Sequence, residues 1–185
     1  DYYMVSQAET WLFNIPRIRE NTIHTGAFNA NQDKDGSIRR TKLFVRMDKL
    51  FTPSLAFKSY LVSTGYNATI KMIPHPIDEG VKVASTVQIT DNENNEILEI
   101  PTDYIGQLPI NYAGPQKMFS YLSAGELLDG TDELVIEQRR QLDDGRWEVE
   151  SLKVNKKDYL KGKHLIFGAT ATGIYDLRVT PFEED

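Results

Sequence analysis

Residues 81–90 read Val-Lys-Val-Ala-Ser-Thr-Val-Gln-Ile-Thr, and this stretch decides the fold class. Apolar residues fall mostly on its odd positions and polar residues mostly on its even ones. Such alternation is typical of a half-buried β-strand, because successive side chains of a strand point to opposite faces. We therefore expect one face of this strand to carry Val81, Val83, Ser85, Val87 and Ile89.

A second clear signal lies further along the chain, where two strand-like runs flank a tight turn. The runs are residues 133–142 and 146–154, and the turn is Asp-Asp-Gly at 143–145. Together they predict a β-hairpin. The apolar residues of the second run change parity after Val149, so we also expect a β-bulge near Glu150 or Ser151.

Short strands separated by turn residues are predicted over much of the remaining chain. The first two predicted strands would form a hairpin around a polar turn at residues 31–36. Helix is expected as one or two turns near Pro115 and, as an alternative to an extended arm, within residues 3–13. The apolar run at 55–62 fits a helix or a strand, and we predict a strand there. The predicted strands are residues 22–29, 43–47, 55–62, 68–73, 97–100, 163–167 and 174–180.

These signals favour an all-β fold, an antiparallel β-sandwich with at most one or two short helices. Strands recurring about every ten residues, without long helices between them, argue against a parallel α/β fold. Pro-His-Pro at 74–76 punctuates the chain. We therefore expect an N-terminal β-hairpin region at 1–76, forming its own domain or part of the same one, and a sandwich at 77–185.

The chain ends in Gly-x-Tyr-x-Leu-x-Val, with Tyr175, Leu177 and Val179 expected to be buried together. With the strand at 81–89 and Asn-Asn in a turn at 94–95, this pattern resembles an immunoglobulin-like or fibronectin-like module over about residues 79–182. The paired cysteines of antibody domains are absent. The resemblance implies architecture only, because such sandwiches host many functions.

Composition sets the class of protein. The 185 residues include no cysteine and carry a net charge of −6. The first fact excludes disulfides and thiolate chemistry, and the second disfavours nucleic acid as a partner. No apolar run reaches the length of a transmembrane helix. The chain starts at Asp1, as it would after loss of a signal peptide, and we expect export to a bacterial periplasm or cell surface.

The best candidate for a metal site is the turn Asn-Gln-Asp-Lys-Asp-Gly at 31–36, in which Asn31, Asp33 and Asp35 occupy alternate positions. Calcium loops use this spacing because alternate side chains converge on one ion. Lys42 stands where such a loop needs a bidentate glutamate. A polar hairpin turn is the alternative explanation, and beyond this possible calcium ion we expect no cofactor.

No catalytic motif is present, so we expect a non-enzymatic module that binds a protein partner, a second copy or a glycan. Its candidate ligand-binding residues are the loop tyrosines Tyr104, Tyr112 and Tyr121. One alternative is a β-fold hydrolase of polysaccharide that uses two carboxylates of the 133–154 hairpin. Those carboxylates would come from Glu137, Glu148 and Glu150.

A second alternative is an assembly subunit of a virion or surface layer. Residues 1–90 carry 11 Lys and Arg against 8 Asp and Glu, a net charge of +3. Residues 91–185 carry 10 against 19, a net charge of −9. Opposite charges on the two halves would steer copies into head-to-tail contact, or would simply be two solvated surfaces.

Overall fold

The computed structural model describes residues 2–114 and 117–168. It is mostly β, with 39% strand and 15% helix, in several sheets whose pairings are antiparallel with one exception. The chain divides into two units, residues 1–110 and 111–185. The elements of the first unit are β1 (Tyr2–Met4), α1 (Pro16–Arg19), β2 (Arg40–Lys42), β3 (Phe44–Met47), β4 (Leu50–Pro53), α2 (Leu55–Thr64), β5 (Asn67–Pro74), β6 (Val81–Thr90), β7 (Glu96–Pro101) and β8 (Gln107–Pro109).

Strand β6, the stretch that decided the fold class, is the central strand of the first unit. All of β5 pairs with one of its edges in antiparallel register. On the other edge β7 lies beside residues 86–90, and β1 runs parallel beside residues 81–83. The sequence boundary between residues 76 and 77 falls in the connection from β5 to β6, two strands of the same sheet.

The predicted face of β6 is correct in its second half and wrong in its first. Val87 and Ile89 are fully buried in the main core of the unit. A register shift lets Lys71 pair with Thr86 and Met72 with Ala84, which leaves Ser85 as the extra residue. A bulge of this kind inverts the facing of the residues beyond it. Ala84 therefore joins the main core in place of Val83.

The segment before β5 is a helix, where the sequence predicted a strand at 55–62. Ser54 caps the helix α2, because its Oγ accepts a hydrogen bond from the Phe57 N–H at 3.3 Å. Gly65 ends it in the left-handed conformation, with φ of 71°. These two signals outweigh the apolar run between them, from which Phe57 alone is buried.

The predicted hairpin between residues 22–29 and 43–47 is also wrong. β3 pairs instead with the strand that follows it, β4. From residues 22–29 the structure records only an isolated bridge, between Ala27 and Ser54. The two-residue connection at Asp48 and Lys49 brings β3 and β4 together locally, which costs less chain entropy than closing the longer loop.

The second unit is built on the hairpin that the sequence predicted at 133–154, and this prediction is confirmed. The register from Glu133–Asn155 to Gln141–Trp147 is continuous, so the expected bulge near Glu150 is wrong. The parity changes because the strand presents apolar residues on both faces. The elements of the second unit are β9 (Tyr121–Leu122), α3 (Ala124–Leu128), β10 (Glu133–Gln141), β11 (Trp147–Asn155) and α4 (Lys156–Leu160).

The remaining predictions have three outcomes: some are confirmed, one is wrong, and some concern residues outside the described ranges. The strands predicted at 68–73 and 97–100 are confirmed as β5 and β7. Residues 163–167 form no strand. The expected helical turn at Pro115 and the terminal strand at 173–180, with its buried Tyr175, lie outside the described residues.

Candidate functional site

A cleft of about 500 Å³ opens in the first unit beside α2. Its walls come from four parts of the unit: the hairpin β3–β4, the helix α2, the turn after it with the strand β5, and the segment that carries His24. These four parts form the cleft. The lining residues are His24, Phe44, Phe51, Pro53, Phe57, Lys58, Leu61, Val62, Gly65, Tyr66, Asn67, Ala68 and Ile70.

Helix α2 presents one face to the cleft. Phe57, Lys58, Leu61 and Val62 are spaced by one, three or four residues, so they form a single stripe on the helix surface. Phe57 is buried at the inner edge of this stripe, and Val62 is exposed at the outer edge. The cap at Ser54 fixes where the helix begins and therefore which side chains face the cleft.

The inner wall is part of the rigid core. Phe44 is only 2% exposed, and its ring meets that of Phe51 edge-on at a centroid distance of 5.8 Å. Phe51 in turn contacts Tyr3 of β1 edge-on at 5.9 Å. On its other side Phe44 lies against Gly106, where a Cβ would come within 2.6 Å of the ring. The wall is thus fixed by contacts on several sides, as expected of a pre-formed pocket.

Lys58 brings a positive charge to the cleft. The described residues that line it include His24 and Lys58 but no Asp or Glu. The sequences of β4, α2 and β5 contain no acidic residue either. Lys58 is half-buried, and in the described part of the chain it forms no ion pair within 4 Å. An apolar cleft with an uncompensated cation can therefore receive an anionic group.

The three candidate tyrosines lie outside this cleft. Tyr104 belongs to the first unit, is 50% exposed, and meets His75 edge-on at 5.8 Å. Tyr112 is half-buried and Tyr121 is 44% exposed, and both belong to the second unit. The three tyrosines are thus divided between the two units, and their role in binding stays a prediction.

The candidate calcium residues lie in a turn whose carboxylates are already paired. The guanidinium of Arg39 lies 3.1 Å from Asp33 Oδ2 and 2.8 Å from Asp35 Oδ2. This hydrogen-bonded pairing with Arg39, helped by the Ser37 N–H, lowers the pKa of Asp35 to about 2. Asn31 is exposed. The arrangement favours the polar-turn alternative, because a cation already occupies the carboxylate side of the turn.

The carboxylates of the hydrolase alternative are divided between two faces of one sheet. In the register of the hairpin Glu148 lies directly opposite Arg140, so the two side chains share one face of the sheet. Glu137 lies an odd number of residues from Arg140 on the same regular strand, so its side chain points to the other face. Glu137 also forms an ion pair with Lys117 at 2.6 Å. Glu137 and Glu148 therefore do not flank a common space in which a sugar would be cleaved.

The described residues contain neither a metal-binding cluster nor a membrane-spanning helix. Across residues 2–114 and 117–168, no cluster of three or more His, Asp or Glu side chains is placed to hold a metal ion. Within the same ranges, no helix has the length and apolar character needed to cross a membrane.

The cleft was not predicted, because the apolar run at 55–62 favoured a strand where the structure has the helix α2. Ser54 before the apolar run and Gly65 after it were the signals that could have identified the helix. The cleft itself had no sequence signal, since its lining comes from segments between His24 and Ile70 that only tertiary packing brings together.

The fold and the cleft define a class of protein: a β-rich domain with a largely apolar cleft beside a helix. The family model of the CHASE2 domain matches residues 7–184, and the chain therefore belongs to the CHASE2 family. CHASE2 is a sensory, ligand-binding domain that lies outside the cytoplasm. No curated protein and no solved structure shows significant similarity to the chain. The family agrees with the expected binding role and export.

Proposed function

We propose that this CHASE2 domain senses a small molecule bound in the cleft beside α2. The observation that carries the proposal is the cleft itself, whose volume of about 500 Å³ suits a small ligand. Its inner wall, Phe44 and Phe51, belongs to or packs against the main core. Binding would therefore act directly on the packing of the unit, which is what a sensory domain requires.

The proposal is tested with a neutral fluorescent probe, N-phenyl-1-naphthylamine, whose emission rises in apolar surroundings. Ala68 and Thr69 are consecutive exposed residues of β5, and only Ala68 lines the cleft. Ala68→Trp fills the cleft, whereas Thr69→Trp places the same side chain on the opposite face of the strand.

We expect saturable binding of the probe to the wild type and to Thr69→Trp, and at least tenfold weaker binding to Ala68→Trp. Circular dichroism spectra that match the wild type show that both variants are folded. Equal binding to the two tryptophan variants would overturn the proposal, because the probe would then be bound elsewhere.

The exposed rings of Tyr104 and Tyr121 favour a second candidate function, recognition of a protein or a glycan, or self-association. Loss of partner binding in Tyr104→Ala, with probe binding unchanged, would support it. The immunoglobulin-like sandwich over residues 79–182 and a bacterial periplasmic or surface location also stay predictions. The sandwich depends on the terminal strand at 173–180, outside the described residues.

A further inference from the structure

The charge of the cleft points to the class of ligand. We propose that the ligand is an amphipathic organic anion, with an apolar body held in the cleft and a carboxylate or a similar acidic group paired with Lys58. This inference rests on the proposed function, because it concerns the same cleft. It goes further by fixing the sign of the ligand's charge and the residue that recognises it.

The apolar part of the argument is the wall. Phe51, Phe57, Leu61 and Ile70 line the cleft with aromatic and aliphatic surface. Such surface binds an apolar body without regard to charge, since the hydrophobic effect is non-directional. The wall alone therefore gives affinity for an apolar body. Another residue has to select the polar group of the ligand.

The polar selection comes from Lys58. Its side chain lines the cleft and is half-buried, and the structure records no carboxylate within ion-pair distance of it among the described residues. Lys71, on the neighbouring strand β5, pairs with Glu99 at 3.0 Å. An ammonium without a counter-ion beside an apolar wall favours an anion and disfavours a cation in the same space.

The surroundings reinforce this selection. No acidic residue occurs in β3, β4, α2 or β5, the helix and strands that contribute to the walls of the cleft. A cationic ligand would therefore meet like charge and no compensating group, whereas an anionic one would meet at least one fixed positive charge.

The test uses two probes that share one aromatic framework. N-Phenyl-1-naphthylamine is neutral, and 8-anilinonaphthalene-1-sulfonate is the same framework with a sulfonate. Only the part of each signal that Ala68→Trp removes is counted, because apolar surface elsewhere also binds such dyes. Lys58→Met removes the ammonium and keeps an apolar stem, and Lys49→Met removes the same charge from an exposed site outside the cleft.

We expect the sulfonate probe to bind the wild type roughly tenfold more tightly than the neutral probe. Lys58→Met should abolish that difference and leave the neutral probe within about twofold, whereas Lys58→Arg and Lys49→Met should preserve the preference. Raising the salt concentration should weaken only the sulfonate probe.

Equal affinity for the two probes in the wild type, or a preference that survives Lys58→Met, would overturn the inference and leave the proposed function standing. If neither probe gives a signal that Ala68→Trp removes, the proposed function itself fails. Should Lys58→Met not fold, Lys58→Gln gives the same comparison with a polar side chain.

Discussion

Gly106→Ala is the substitution whose effect follows most directly from the structure, because two separate costs meet at this position. Gly106 has φ of 80°, a left-handed conformation that costs an L-residue about 1–2 kcal/mol. The added Cβ would also lie 2.6 Å from the Cζ of Phe44, a ring that is 2% exposed and fixed in the core. Overpacking of this kind costs about 1–3 kcal/mol.

The sum predicts a loss of about 2–5 kcal/mol in the free energy of unfolding of the first unit. Gly36 is the matched control, since its φ is 85° but no atom lies within 4 Å of an added Cβ. Gly36→Ala should therefore show the backbone cost alone, about 1–2 kcal/mol.

Urea unfolding measures the difference, with Trp147 replaced by Phe so that Trp11, the other tryptophan, reports on the first unit. In a Phe44→Leu background the overlap is relieved, and Gly106→Ala should then cost less than in the wild type. Equal losses for Gly106→Ala and Gly36→Ala would refute the reasoning, because the contact with Phe44 would then carry no energy.

Three further predictions concern other parts of the chain. Ser54→Ala removes the cap of α2 and should destabilise the first unit by about 1 kcal/mol in urea, whereas Ser54→Asp should not. The low pKa of Asp35 gives a contribution to stability that is present above about pH 4 and lost as pH falls towards about 2. Arg39→Gln should raise the pKa of Asp35 towards 3.8, measured by NMR titration, and no change would contradict the pairing. Lys156 donates to the carbonyls of Glu126 and Leu127 at the end of α3, so Lys156→Met should destabilise the second unit by about 1–3 kcal/mol, read from Trp147 fluorescence.

The sequence predicted those strands whose alternation and turns lie close together. The strand at 81–90 and the hairpin at 133–154 are of this kind, since each pattern is complete within about twenty residues. The bulge at Ser85 was not predicted, because it depends on how two strands pair and no single strand encodes that register.

The helix α2 shows a different limit. Its residues, Leu55 to Thr64, carry aromatic and β-branched side chains that suit a strand, and only the residues at its two ends identify it as a helix. The pairing of β3 with β4 was missed for a related reason, because a predicted strand at 22–29 competed for the same partner.

Even less of the candidate site could be predicted from the sequence. Tyr104 and Tyr121 were chosen because loops often carry recognition, and that reasoning selects residue types and says nothing about shape. The cleft depends on the distance between α2 and β5, and on the rotamer of Phe44 against Gly106. Neither quantity affects the local pattern of apolar and polar residues, so only the folded structure shows them.

The most direct measurement is a methyl NMR titration with N-phenyl-1-naphthylamine. We expect saturable shifts, all with one dissociation constant, at the methyl groups that line the cleft. Methyl groups of the second unit, such as those of Leu134, should not move. Shifts confined to the second unit, or shifts that never saturate, would contradict the central claim that this domain binds its ligand beside α2. The methyl groups expected to shift are those of Leu61, Val62, Ala68 and Ile70.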